Sequence, residues 1–197
     1  MGLKRNIFLF SVLLLQVISF KVFSQNADSL TSISKQEKED SLILAAQLES
    51  LEAKKNSGDK KGISISYHNI GQLFYDKGDY RSAVEYFMLS LITCREMNDD
   101  IGIANCYQNL ADAHKNLAHY AEGIRYYSDA IDMYSELGYK DDIADCYMSI
   151  SKIYEIKKDI SDAISYTRKA QNIYSDERNR GKVDECATRI KELRSKR

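Results

Sequence analysis

The 197-residue chain has no proline and no tryptophan, only nine glycines, four cysteines and three histidines, and no excess of charge: 28 Lys and Arg stand against 29 Asp and Glu. Architectures rich in proline turns and linkers are thereby disfavoured, and an all-helical one with short connections fits best. A net charge of -1 gives no electrostatic basis for gripping a polyphosphate, so no nucleic-acid partner is expected. The length suits one globular domain or one short repeat array and excludes a large multidomain enzyme. Beyond the N-terminus no apolar run is long enough to cross a membrane, so no stable span is expected in the mature chain.

The N-terminus reads as an address. Lys4 and Arg5 precede an almost uncharged apolar stretch from Ile7 to Phe20, and Ser24, with Val22 two residues before it, offers a cut ahead of Gln25. Lys21 interrupts the run well short of the roughly 20 residues that span a bilayer. A secretory signal peptide over 1–24 is expected, with export to the periplasm or the medium; retention as an uncleaved anchor is the alternative. No cysteine lies near the cut, so a lipid-modified N-terminus is not expected. Residues 25–37 are polar and weakly periodic, a flexible lead-in.

From there the sequence repeats. Shifted against itself by 40 residues it aligns without a gap: Tyr67, Tyr107 and Tyr147 share a column, as do Ile70, Leu110, Ile150 and Ile190. Further columns are Val84, Ile124 and Ile164, then Tyr86, Tyr126 and Tyr166. Within one period apolar residues recur at three and four, as Ile63, Tyr67, Ile70, Phe74, and again as Tyr80, Ala83, Val84, Phe87, Leu91. Lys77-Gly78-Asp79 breaks the pattern: Gly78 can take the left-handed conformation that ends a helix, and Asp79 can cap the next, with Asp99 and Asp159 at comparable starts.

Each period is therefore two amphipathic helices joined by two to four residues, which forces them antiparallel. Pairs are predicted at 60–76 with 80–97, 100–117 with 120–137, and 140–157 with 160–177. A helix at 38–56 and another at 180–195 flank them as half-repeat caps, making one domain over 38–197. Single hairpins cannot bury their apolar stripe; stacked ones can.

The pattern Tyr67-x-x-Ile70-Gly71-x-x-Phe74-x-x-x-Gly78-Asp79-Tyr80-x-x-Ala83-x-x-x-Phe87-x-x-Ser90-Leu91 resembles the tetratricopeptide repeat in its longer form of about 40 residues. It is similar to repeats of kinesin light chains, bacterial peptide-responsive regulators and exported sensor portions of bacterial signalling proteins. Ala111 and Ser151 depart from the first-helix glycine, Ala118 and Lys158 from the turn glycine, and Thr167 from the aromatic column. The resemblance implies an all-α, right-handed superhelical solenoid without catalysis or cofactor. Its first helices would line a concave groove that binds a protein or peptide segment. A sensory or regulatory input module is the alternative.

In that groove the non-core positions of repeat one include Ile65, His68, Asn69, Gln72 and Tyr75. Repeat two offers Asn105, Gln108, Asn109, Asp112 and Lys115, and repeat three Asp145, Met148, Ser149, Lys152 and Glu155. The resemblance implies that the column of Asn69 and Asn109 hydrogen-bonds the backbone of an extended peptide, which suits an amide that donates and accepts at once. The column ends at Ser149 and Arg189. His68, Gln72 and Asp112 stand where a terminal-carboxylate clamp needs basic or amide groups, so that partner class is not expected.

Other chemistry finds little support. Cys106, Cys146 and Cys186 fall in one column of successive repeats, too far apart for a bridge. Cys94 and Cys106, on adjacent helices, are the pair that could come nearer, and no disulfide is expected. There is no Cys-x-x-Cys, and His114 and His119, five apart, fall on different helix faces, so no metal site is expected. His114 shares the column of Phe74 and Tyr154 and is read as packing. Acid pairs Asp99-Asp100 and Asp141-Asp142 sit at helix starts, where they suit the dipole. The segment 178–197 carries eight basic side chains against three acidic ones, a basic end to the array.

Overall fold

The computed structural model describes residues 38–196; the expected signal peptide over 1–24 and lead-in over 25–37 lie outside the described residues. Residues 38–57 form α1. The unit Gln47–Arg197 carries α2 (Lys60–Asp76), α3 (Tyr80–Met97), α4 (Asp100–Asn116), α5 (Tyr120–Leu137), α6 (Lys140–Ile156), α7 (Ile160–Asp176) and α8 (Arg180–Ser195). Among the described residues there is no strand. From α2 onward each helix packs on the next, in three hairpins followed by the single α8, and the first helices α4 and α6 also touch.

The boundaries follow from a few side chains. Asp59, Asp79, Asp99 and Asn179 precede helices and accept the N–H of Gly62, Ser82, Gly102 and Lys182. Asp159 departs from expectation: it precedes α7 without making that bond, and its carboxylate lies 3.9 Å from Lys157 Nζ. Helices α4, α6 and α7 end one residue earlier than predicted, because Leu117, Lys157 and Glu177 take the capping position. In the turns, Gly78 (φ 79°) shares its column with Ala118 (φ 60°) and Lys158 (φ 64°). The left-handed turn thus survives loss of its glycine, at about 1–2 kcal/mol of strain for an L-residue.

Aromatic rings clasp each hairpin in the same way three times. Tyr86 stacks on Phe74 (5.4 Å), Tyr126 on His114 (5.3 Å) and Tyr166 on Tyr154 (5.3 Å), with Tyr67, Tyr107 and Tyr147 tilted about 6 Å away. His114 therefore does pack as its column requires. His119 does not point away as expected: it lies in the turn before α5, which folds its ring back to 5.7 Å from that of His114.

The departures from the repeat pattern compensate one another. A Cβ on Gly71 would lie 2.7 Å from the Phe87 ring, so the glycine lets that ring pack close against α2. One period on, Ala111 and Tyr127 are both buried in one cluster. Two periods on, Ser151 has grown and Thr167 has shrunk, and their hydroxyls bond each other (2.8 Å) while both contact the Ala163 carbonyl. Sealed between helices, these hydroxyls are satisfied and the polar swap is tolerated.

Candidate functional site

Three fully buried tyrosines carry the chemistry of the interior out to the first-helix face. Tyr127 donates to Asp112, Tyr134 to Asn105 Oδ1 (2.7 Å) with Gln108 Oε1 also within reach of the same proton (2.9 Å), and Tyr174 to Asp145. Burial pushes all three phenol pKa values up, so the hydroxyls remain donors. Lys115 adds an ion pair to Asp112 and a hydrogen bond to the Tyr127 hydroxyl (3.2 Å). Asp112, Lys115 and Gln108 thus spend part of their bonding capacity anchoring the core.

The face is bridged differently at its two ends. Between α2 and α4 the links are neutral: Asn109 Nδ2 donates to His68 Nδ1 (3.2 Å), and Asn116 Nδ2 donates to the Tyr75 hydroxyl (2.7 Å). Burial lowers the His68 pKa and raises that of Tyr75, with the Asp112 charge adding to the latter. Accepting at Nδ1 leaves the neutral His68 ring with its proton on Nε2. Between α6 and α8 the links are ionic: Lys182 with Asp145 (2.9 Å), and Arg189 and Lys196 with Glu155 (2.6 Å each). The Lys196 hydrogen bond first, and the Arg189 charge with it, hold the Glu155 carboxyl below its ordinary range. Three basic groups of the C-terminal segment are therefore matched within the fold.

Asn69 is exposed, and Gln72 donates to Asp76 (2.7 Å) within its own helix. Met148, Ser149 and Lys152 line a cleft of about 220 Å³ with Asp145 and Tyr174. A second cleft, of about 350 Å³, opens between α2 and α4 beside His68 and Asn105. The sequence reading missed this second cleft and the role of Cys94 in it, although the column Lys54, Cys94, Tyr134 and Tyr174 was there to be compared.

All four cysteines are free and buried. Cys94 and Cys106 do come together in one buried cluster: Cys106 Sγ donates to Ser90 Oγ (3.4 Å), and the interaction of the two thiols holds Cys94 below its ordinary range and pushes Cys106 up. Among the described residues no three His, Cys, Asp or Glu converge as metal ligands, and no helix is long and apolar enough to cross a membrane.

Solved structures share this arrangement. BtubC (BKLC) from P. vanneervenii matches with a TM-score of 0.53 at 18% identity, over 69% of this chain and 65% of that one. A Signal Transduction ATPase with Numerous Domains with a tetratricopeptide repeat sensor, from Pyrococcus horikoshii, gives 0.64 at 23% identity, over 71% and 22%. The N-terminal domain of stress-induced protein-1 from C. elegans gives 0.55 at 17%, over 68% and 97%. The chain thus spans under two thirds of the first two proteins, and at these identities the likeness is one of fold. No curated protein matches in sequence. A tetratricopeptide repeat family model matches residues 63–136 and a second of the same description residues 144–177. With the 40-residue register, the stacked hairpins and these matches over more than half its length, the chain belongs to the tetratricopeptide repeat family.

Proposed function

We propose that this protein is an exported, non-catalytic scaffold that binds an extended protein segment along its first-helix face. The observation that carries the reading is the row of polar and half-buried groups presented by α2, α4 and α6. Asn69 is exposed there, Asn109 keeps its amide oxygen after bonding His68, and Met148, Ser149 and Lys152 line a cleft further along. Such a row offers both donors and acceptors to a peptide backbone. Packed helix pairs limit the entropy lost on binding. Export rests on the N-terminal pattern of Lys4, Arg5 and the apolar stretch to Phe20.

Affinity capture with the wild type and an Asn69→Ala/Asn109→Ala variant tests the binding site. The reading expects partners recovered by the wild type to weaken about tenfold or more, the scale of one or two lost hydrogen bonds. Equal recovery overturns the role of these two residues. N-terminal sequencing of the mature protein tests the address: a start at Gln25 is expected, and a start at Met1 in soluble cytosolic protein contradicts it.

A further inference from the structure

One column of the repeat is filled by a long side chain with a polar tip everywhere except in repeat one. Lys54 reaches Ser66 Oγ (2.7 Å), and Tyr134 and Tyr174 reach the acceptors described above. Between Lys54 and Tyr134 in this column stands Cys94, whose side chain stops short. The 350 Å³ cleft lies at this position, lined by His68 from α2, Ser90 and Cys94 from α3, and Ile101, Asn105 and Cys106 from α4. Its volume is ample for one aromatic side chain.

The lining has changed together with the missing ring. Where the later repeats have Ala104 and Ala144 packed about their tyrosines, repeat one has Ser64, and where they have Ala130 and Ala170 it has Ser90. Ser90 Oγ donates to the Ser64 carbonyl (2.9 Å) and accepts from Cys106 Sγ (3.4 Å), and Ser64 Oγ donates to the Lys61 carbonyl (2.9 Å), so each hydroxyl keeps at least one lone pair for an incoming donor. Exposed Ile65 and half-buried Ile101 also line the cleft and give a ring apolar contact.

We propose that the α2–α4 cleft takes a tyrosine side chain of the bound segment, replacing from outside the ring that Cys94 does not supply, with its hydroxyl donating to Ser64 or Ser90. This rests on the first-helix face being the binding face. A phenol fits better than an ammonium, because the lining thiols, isoleucines and neutral His68 offer no counter-charge apart from Asp99, whose carboxylate caps α4 at Gly102 (3.0 Å). A phenylalanine would fill the space but bring no donor to the remaining serine lone pairs.

The test is a titration of the full chain, followed by NMR, with capped pentapeptides of alanine carrying Tyr, Phe, Lys or Ala at the centre. The Tyr peptide should bind with shifts at His68, Gly102 and Asn105, the Phe peptide about fivefold weaker or more, and the Lys and Ala peptides at least about tenfold weaker. Cys94→Tyr restores the residue of the later repeats, fills the cleft and should abolish the preference; Ser64→Ala/Ser90→Ala should erase the difference between Tyr and Phe while retaining the ring. Equal binding of all four peptides, or preference for Lys, overturns the proposal, as does a Tyr preference unaltered by both variants. If all four bind equally and Asn69→Ala/Asn109→Ala weakens them, the cleft proposal falls and the binding face stands. If none binds at millimolar concentration, both fall.

Discussion

Repeat one and repeat two are built to the same 40-residue register and filled in opposite ways. In repeat two Tyr127 and Tyr134 run from α5 through the core, and their hydroxyls end on Asp112, Asn105 and Gln108. In repeat one the matching residues are Phe87, without a polar tip, and Cys94, too short to cross, so His68 and Ser64 border open space instead. The fold tolerates the exchange: both repeats keep the same helix bounds 40 residues apart. The surface changes: one repeat presents a plugged face and the other an open cleft.

The largest expected effect breaks the plug. Tyr134→Ala should lower stability by about 3–5 kcal/mol in chemical denaturation, the range for deleting a fully buried ring, whereas Cys94→Ala should cost about 1 kcal/mol or less, since the cleft is already open. Equal losses would mean the two positions are packed alike.

A second substitution probes the opposed pair at the other level of the same repeats. Gly71→Ala brings a Cβ to 2.7 Å from the Phe87 ring and should cost about 1–3 kcal/mol by overpacking. Ala111→Gly, its counterpart, should cost only about 1 kcal/mol, the helix propensity difference.

The repeat register, the three hairpins and the turn at Gly78-Asp79 were legible because apolar spacing and capping are local properties of sequence. So was the packing role of His114, fixed by its column. What was not legible depends on contacts across helices. Asp112 and Lys115 look like free groove residues until Tyr127 is seen beneath them, and Glu155 looks free until Lys196 reaches it from the far end of the array. His119 seemed remote from His114 because helix spacing was applied across a turn that is not helical. The cleft at Cys94 was readable only by asking what its column lacks.

Two smaller effects sharpen the contrast between the glycine turn of repeat one and its altered copies. Ala118→Gly and Lys158→Gly should each stabilise by about 0.5–1 kcal/mol, since both residues sit at positive φ, while Gly78→Ala should destabilise. Thermal denaturation of the three variants checks the signs.

The smallest effect concerns pH. Burial first, and the neighbouring His119 charge next, lower the His114 pKa from 6.5, and burial lowers that of His68. A lowered folded pKa means the unfolded chain binds protons first, so stability should be full above about pH 6.5 and fall as pH drops below it. His114→Phe, which copies Phe74 of repeat one, should remove part of that fall; an unchanged pH profile would show that His114 does not contribute to it.

The most direct measurement is hydrogen exchange on the full chain with and without a partner recovered by capture. Binding along the first-helix face predicts that added protection falls on α2, α4 and α6, and that α3, α5 and α7 change little. Protection confined to α3, α5 and α7 would contradict the account.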